Sequence, residues 1–91
     1  RDLVLKGIRG CAAVGVKAVI VVGQGFADAD ETGQTLQSEM VSIAKESGMR
    51  ILGPNTLGVL NAFHPFTTSF MPLSREAAPV GVICQSGIFF V

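Results

Sequence analysis

The feature that most constrains the fold of this chain is a nearly unbroken β-branched run at residues 17–22, Lys-Ala-Val-Ile-Val-Val. Such a run is typical of a strand that is buried on both faces, as in a parallel sheet with helices on each side. Amphipathic helical patterns precede and follow it, and a second short strand is predicted at residues 50–52. The pattern therefore predicts an α/β fold with parallel strands joined through a helix.

The two predicted helices have recognisable ends. The first spans Asp2 to Val14, and Gly15 is predicted to end it in the left-handed conformation. Asp28 or Asp30 is predicted to cap the second helix, and Gly48 to end it. The residues predicted to face the core are Val4, Ile8, Cys11 and Ala12 in the first helix and Leu36, Met40, Ile43 and Ala44 in the second.

Small polar turns follow the predicted strands. Gly23-Gln24-Gly25 follows the first, Gly53-Pro54-Asn55-Thr56 the second, and Gln85-Ser86-Gly87 a third predicted buried strand, Val80 to Cys84. Ligands of open α/β sheets bind outside the carboxyl ends of the strands, so we expect a site there. Whether Gly23 and Gly25 only allow a turn or line a ligand stays open, and for Asn55 a ligand-binding role is favoured over one that only ties down its own loop. Ser86 could be a simple helix cap or receive a phosphate.

Composition excludes several classes of protein. Seven basic and seven acidic residues cancel in 91 residues, which argues against nucleic-acid binding. No apolar run is long enough to cross a bilayer, which argues against a membrane span. Cys11 and Cys84 lie in apolar segments without His or Cys at ligand spacing, so we predict buried free thiols of a cytoplasmic protein and no metal site. The chain lacks an initiator Met and ends on an apolar run, so we expect an excerpt of a longer protein.

Residues 53–79 show no clear helical or strand period apart from short apolar pieces around Leu57 to Leu60 and Thr67 to Met71, which suggests a functional or connecting segment. His64 is the only histidine, and without an acidic neighbour in sequence it is interpreted as a loop residue without a chemical role. Phe63, Phe66 and Phe70 are predicted to anchor this loop on the core.

Four segments in this order resemble the NDP-forming acyl-CoA synthetase family, which includes the α subunit of succinyl-CoA synthetase: GVKAVIVV, GFAD, GPNTLGVLN and QSG. The resemblance implies that residues 1–71 are the C-terminal part of a Rossmann-like CoA-binding domain. It further implies a linker at residues 72–79, and at residues 80–91 the first strand and turn of a flavodoxin-like ligase domain.

The family's reaction converts acyl-CoA, NDP and phosphate to acid, CoA and NTP through an acyl phosphate and a phosphohistidine. The resemblance implies that CoA and a small acid are ligands, with ADP/ATP or GDP/GTP and Mg used by the parent enzyme. It also implies an ATP-grasp domain or β subunit as partner, and an oligomer in the cytoplasm.

Positions that match the family's motifs carry its expected site residues. Gly23, Gln24 and Gly25 would line the CoA cleft, and Asn55 with Thr56 would lie near the thiol end of CoA. Ser86 and Gly87 would hold the phosphate of the phosphohistidine. No catalytic residue is expected within this chain, since His64 does not match the family's catalytic histidine. Thr56 departs from the cysteine that is common there, and the bulky residues 88–90 depart from the family's small ones.

Two other functions remain possible from the sequence. A non-catalytic CoA-binding module would keep the cleft without phosphoryl transfer. An NAD(P)-binding Rossmann protein would need a complete GxGxxG turn, and after Gly23 and Gly25 the third glycine position is occupied by Asp28.

Overall fold

The computed structural model describes residues 1–61, 63–69, 76, 79–81 and 83. In them the chain forms α1 (Asp2–Ala13), β1 (Ala18–Ile20), α2 (Glu31–Ser47), β2 (Arg50–Leu52), β3 (Leu60–Asn61) and β4 (Phe66–Thr67). The chain divides into two compact units, Arg1–Thr56 and Leu57–Val91.

A parallel pair of strands forms the centre of the first unit. β1 pairs with β2 in parallel, with Val19 opposite Ile51, and α2 lies between them in sequence. Since sequential parallel strands need a crossover connection, α2 supplies it. The predicted α/β class with parallel strands is confirmed for this unit.

Glycines end both helices, as predicted. Gly15 has a φ of 76°, and its N–H donates to the carbonyl of Ala12 at 3.1 Å while the next N–H donates to Cys11 at 3.0 Å. Gly48 has a φ of 67° and ends α2 in the same way. These paired hydrogen bonds satisfy carbonyls that the end of a helix would otherwise leave exposed.

The core of the first unit lies between the helices and one face of the strand pair. Its buried side chains are Leu5, Ile8, Val21, Phe26, Met40 and Met49, of which Phe26 and Met40 are the largest fully buried ones. The predicted inner faces of both helices pack against this cluster. The interpretation of Met40 as a core residue is confirmed.

The prediction of a first strand buried on both faces is wrong for the described residues. The assigned strand covers only Ala18–Ile20, and Val22 is 45% exposed. Side chains alternate across a strand, and Val19, Val21 and Ile51 pack with the core. Because both helices pack into that one core, the opposite face is only partly covered in this unit, where Ile20 is half-buried and Leu52 is exposed. Cys11 is likewise half-buried rather than fully buried.

The second unit contains a short antiparallel hairpin where the sequence predicted irregular structure. Leu60 pairs with Thr67 and Asn61 with Phe66. The Thr68 hydroxyl accepts from the N–H of Val59 at 2.9 Å, and the Thr68 N–H donates to the Val59 carbonyl at 2.9 Å. Strands of two residues are too short to give a period in sequence, which explains the missed prediction.

Phe63 and Phe66 do not anchor this hairpin on a core. Phe63 is 83% exposed and Phe66 is also exposed, so that prediction is wrong for both; Phe70 lies outside the described residues. The buried strand predicted for Val80 to Cys84 is not borne out where the structure describes it, because Val80 and Ile83 are exposed and unassigned. Val82 and Cys84 lie outside the described residues.

No helix in the described part of the chain is long and apolar enough to cross a membrane.

Candidate functional site

The loops after β1 and β2 meet at the carboxyl ends of the two strands. The backbone N–H of Asn55 donates to the carbonyl of Gly23 at 2.9 Å, just beyond the bond from the Val21 N–H to the Leu52 carbonyl at 2.9 Å. The strand-end ledge consists of Gly23, Gln24, Gly25, Asn55 and Thr56. The structure therefore brings together five of the sequence-predicted site residues.

Gly53 lets the second loop turn close to the first. Its φ is 99°, a region that residues with a side chain rarely adopt. A Cβ at this position would overlap the carbonyl oxygen of Val21 and lie 3.2 Å from Cγ2 of Thr56. The following peptide bond to Pro54 is cis. Glycine is thus required for the backbone contact that closes the ledge.

Amide side chains on the ledge face solvent. Gln24 and Asn55 are both exposed, and among the described residues neither side chain has a hydrogen-bond partner. Asn55 ties the loop through its backbone N–H, and its φ of 55° is in the left-handed region that asparagine tolerates. Each free amide offers both donors and acceptors to a ligand. Thr56 is half-buried beside them.

Arg1 reaches the ledge from the start of α1. Its Nη1 donates to the Gly25 carbonyl at 3.0 Å and to the two carboxylate oxygens of Asp30 at 2.9 and 2.8 Å. Asp30 also accepts from the N–H of Gly33 at 2.6 Å and so caps α2. The sequence predicted Asp28 or Asp30 as the cap, and the structure shows Asp30. It did not identify Arg1, which lies 24 positions from Gly25 and 29 positions from Asp30, because no local signal spans such separations.

The pKa of the Asp30 carboxyl group is lowered by its hydrogen-bond donors. Hydrogen bonds from Arg1, then from the Gly33 N–H, hold the pKa of Asp30 below its ordinary value of 3.8. A carboxylate with a folded-state pKa below the unfolded one stabilises the fold above the unfolded pKa, and this contribution is lost as the pH falls through the folded pKa.

We therefore expect the free energy of unfolding to decrease as the pH falls below the ordinary Asp pKa of 3.8 and through the lower folded-state pKa, and Asp30→Asn to reduce that slope. Urea unfolding at a series of pH values, followed by far-ultraviolet circular dichroism, measures both slopes. Glu46→Gln is the matched control, since Glu46 is an exposed carboxylate without an ion pair among the described residues. An Asp30→Asn slope equal to the wild-type slope would contradict the assignment.

Gly33 brings the first turn of α2 against the glycine loop. A Cβ on Gly33 would overlap the Phe26 carbonyl and lie 2.8 Å from the Gly25 carbonyl oxygen. Sequence analysis missed this residue, although a glycine inside a helix carries a cost of about 1 kcal/mol and so signals a packing constraint. The close approach sets the position of the backbone that leads out of the ledge.

A groove of about 230 Å³ lies between α2 and β2, next to Gly53 and Pro54. Its walls are mainly apolar side chains of α2 and β2, including Val41 and Ile51. Typical pockets for small-molecule ligands are about 300–1,000 Å³ and carry several convergent polar groups. The groove is smaller than that range, so the ledge is the better candidate site.

The other residues singled out in the sequence belong to the second unit, Leu57–Val91. Ser86 and Gly87 lie outside the described residues. His64 lies exposed in the hairpin of the second unit, where its backbone N–H donates to Oδ1 of Asn61 at 3.1 Å. Among the described residues the His64 ring forms no ion pair.

Comparison with known proteins adds an independent observation. No family model matches the chain. Over 81 residues it is 41% identical to an ADP-forming acetate–CoA ligase II of Archaeoglobus fulgidus, a match that covers 87% of this chain and 12% of that protein. It is 36% identical over 77 residues to the α subunit of ADP-forming acetate–CoA ligase II of Pyrococcus furiosus, covering 85% of this chain and 17% of that subunit.

A solved structure, of PH0766 from Pyrococcus horikoshii, superposes with a TM-score of 0.77 at 32% identity and covers 81% of this chain and 17% of that one. The chain thus spans 12–17% of the length of these relatives. The resemblance predicted from the four motifs is confirmed over this stretch.

Proposed function

We propose that this chain, which resembles a stretch of ADP-forming CoA ligases, is the CoA-binding segment of an NDP-forming acyl-CoA synthetase. The parent protein is then an acid–thiol ligase that converts acyl-CoA, NDP and phosphate to acid, CoA and NTP. One observation carries the proposal: the 41% identical match covers 87% of 91 residues. A match of that extent necessarily includes both loops of the strand-end ledge.

The chemistry of the ledge suits CoA. The pantetheine arm of CoA contains two amide groups, each of which needs a donor and an acceptor when it leaves water. Gln24 and Asn55 present free side-chain amides, and the glycines beside Gln24 have no side chains to block the approach of a narrow ligand. We assign Gly23, Gln24 and Gly25 to the wall of the cleft, and Asn55 with Thr56 to the thiol end. CoA supplies the thiol that carries the acyl group.

The same proposal extends to architecture. Residues 1–71 would be the C-terminal part of a Rossmann-like domain, 72–79 a linker, and 80–91 the start of a flavodoxin-like ligase domain in which Ser86 and Gly87 bind phosphate. The parallel strands of the first unit support the Rossmann-like assignment. The boundary at residue 71 lies within the second compact unit, Leu57–Val91.

Assembly and location are part of the same proposal. An ATP-grasp domain or β subunit would bind ADP or GDP with Mg, and the name of the Pyrococcus furiosus relative as an α subunit supports such a partner. A cytoplasmic location is supported by the free thiol of Cys11.

Asn55→Ala in the full-length protein tests the proposed function. We expect the Kd for CoA to rise about tenfold, because removal of one hydrogen-bonding amide costs about 1.4 kcal/mol. Isothermal titration calorimetry measures this Kd. Asn55→Gly is the matched variant. It also removes the side-chain amide but keeps the left-handed backbone without strain, so it should weaken CoA binding to the same extent.

Unchanged CoA affinity in both variants would show that the Asn55 side chain does not bind CoA and that Asn55 only holds its loop through the backbone. Titration of the wild-type protein with NAD tests the competing Rossmann interpretation. Heat with NAD and none with CoA would overturn the proposed function itself.

A further inference from the structure

One nitrogen of Arg1 links α1, the glycine loop and α2. Its Nη1 contacts the Gly25 carbonyl at 3.0 Å and the Asp30 carboxylate at 2.8 and 2.9 Å. Its Cδ lies 3.9 Å from the place where a Cβ of Gly25 would be. The side chain therefore packs along the loop as well as donating to it.

The Gly23–Gly25 loop has few other hydrogen bonds among the described residues. Gly23 is held through its carbonyl by Asn55, and Phe26 is anchored by burial and by its N–H, which donates to Asp28 at 2.9 Å. Between these anchors lie Gln24, which has no partner among the described residues, and Gly25, with a φ of 94°. Glycine loses more conformational freedom on ordering than any other residue. Gly33 of α2 packs against the Gly25 carbonyl, and the bond from Arg1 adds a directed hydrogen bond to that same carbonyl.

The acceptor that fixes Arg1 is itself rigid. Asp30 caps α2 through the Gly33 N–H at 2.6 Å, so its carboxylate is held at the first turn of a 17-residue helix. A cation held by both oxygens of a fixed carboxylate is oriented, even where an exposed ion pair adds little stability. Arg1 thus fixes the Gly25 carbonyl relative to the first turn of α2, because the same nitrogen bonds both groups.

We infer that Arg1 is a positioning residue of the ledge, which orders the Gly23–Gly25 loop before CoA binds. This inference rests on the proposed function. It predicts that Arg1 acts on CoA affinity through loop order in the free protein and not through contact with CoA.

Arg1→Gln in the full-length protein tests the inference, with calorimetry for CoA and hydrogen exchange of peptides that cover residues 23–29. We expect a five- to tenfold higher Kd for CoA, about the factor that ordering one further backbone residue costs on binding. Exchange of the loop should be faster in the free variant and equal to wild type when CoA is saturating. Arg1→Lys keeps a donor and should restore the Kd to within twofold of wild type.

Arg9→Gln is the matched control. Arg9 also joins α1 to α2, through an ion pair with Glu39, but in the described part of the chain no hydrogen bond or ion pair joins it to the loop. It should leave the CoA Kd and loop exchange unchanged. Equal effects of Arg1→Gln and Arg9→Gln, a normal Kd in Arg1→Gln, or failure of Arg1→Lys to restore affinity would each overturn the inference.

The Asn55 variants separate this inference from the proposed function. If Asn55→Gly weakens CoA binding and Arg1→Gln does not, the positioning role of Arg1 is wrong, while the proposed CoA site is supported. If neither weakens CoA binding, the positioning role of Arg1 and the assignment of Asn55 to the CoA site are both wrong, whereas the proposed function itself is overturned only by heat with NAD and none with CoA.

Discussion

Replacement of Phe26 by alanine is expected to lower the free energy of unfolding by about 3–5 kcal/mol, the range for a buried phenylalanine. Phe26 has an exposed fraction of 0% and is one of the two largest fully buried side chains in the described residues. It directly follows the glycine loop and belongs to the core cluster, so the cavity would form in the core next to the ledge residue Gly25 in sequence. Small units are marginally stable, so a loss of this size removes most of the stability of Arg1–Thr56.

Phe63→Ala is the matched control for Phe26→Ala. The substitution is the same, but the Phe63 side chain is 83% exposed, so its effect should stay within about 0.5 kcal/mol. The sequence contains neither Trp nor Tyr, so far-ultraviolet circular dichroism during urea unfolding is the suitable measurement. Similar losses for the two variants would show that Phe26 is not a core anchor.

Helices were predictable from the sequence because their signals are local. The left-handed glycines Gly15 and Gly48 and the cap at Asp30 act within one turn of the helix that they end. The parallel pairing of β1 with β2 also followed, since a helix-length segment separates two short apolar runs.

Burial depends on what packs against an element, and this is not local. The residues of β1 are equally apolar on both faces, so their composition does not reveal that both helices pack on one side. The aromatic residues of the hairpin were assigned to a core for the same reason. Hydrophobic side chains indicate where a core can form, whereas exposed ones are common on all protein surfaces.

The ledge was predictable in outline but not in its supports. Strand ends followed by Gly, Asn and Thr identify an edge where a ligand binds, and the structure brings these loops within hydrogen-bond distance. Arg1 and Gly33 act on the same loop, but Arg1 is distant from it in sequence and Gly33 lies inside a helix, so neither position marks a site. Only the folded arrangement shows that one donates to the Gly25 carbonyl and the other leaves room for it.

Gly33→Ala is expected to destabilise the first unit by about 3 kcal/mol and to weaken CoA binding as well. The added methyl group would overlap the Phe26 carbonyl, and overpacking of this kind displaces backbone at a cost of about 1–3 kcal/mol or more. Displacement of residues 25 and 26 would disturb the glycine loop, because Gly25 belongs to the ledge. Urea unfolding measures the first effect and calorimetry with CoA in the full-length protein measures the second.

Gly10→Ala is the matched control for Gly33→Ala, because the same substitution in the other helix should raise the free energy of unfolding instead of lowering it. Gly10 lies in α1, and a Cβ there would meet nothing within 4 Å. Alanine in an exposed helix interior is favoured over glycine by about 1 kcal/mol, so Gly10→Ala should stabilise the chain and leave CoA affinity unchanged. A Gly33→Ala variant that gained stability as Gly10→Ala does would show that α2 can move away from the loop. The close packing would then not be what fixes the position of Gly25.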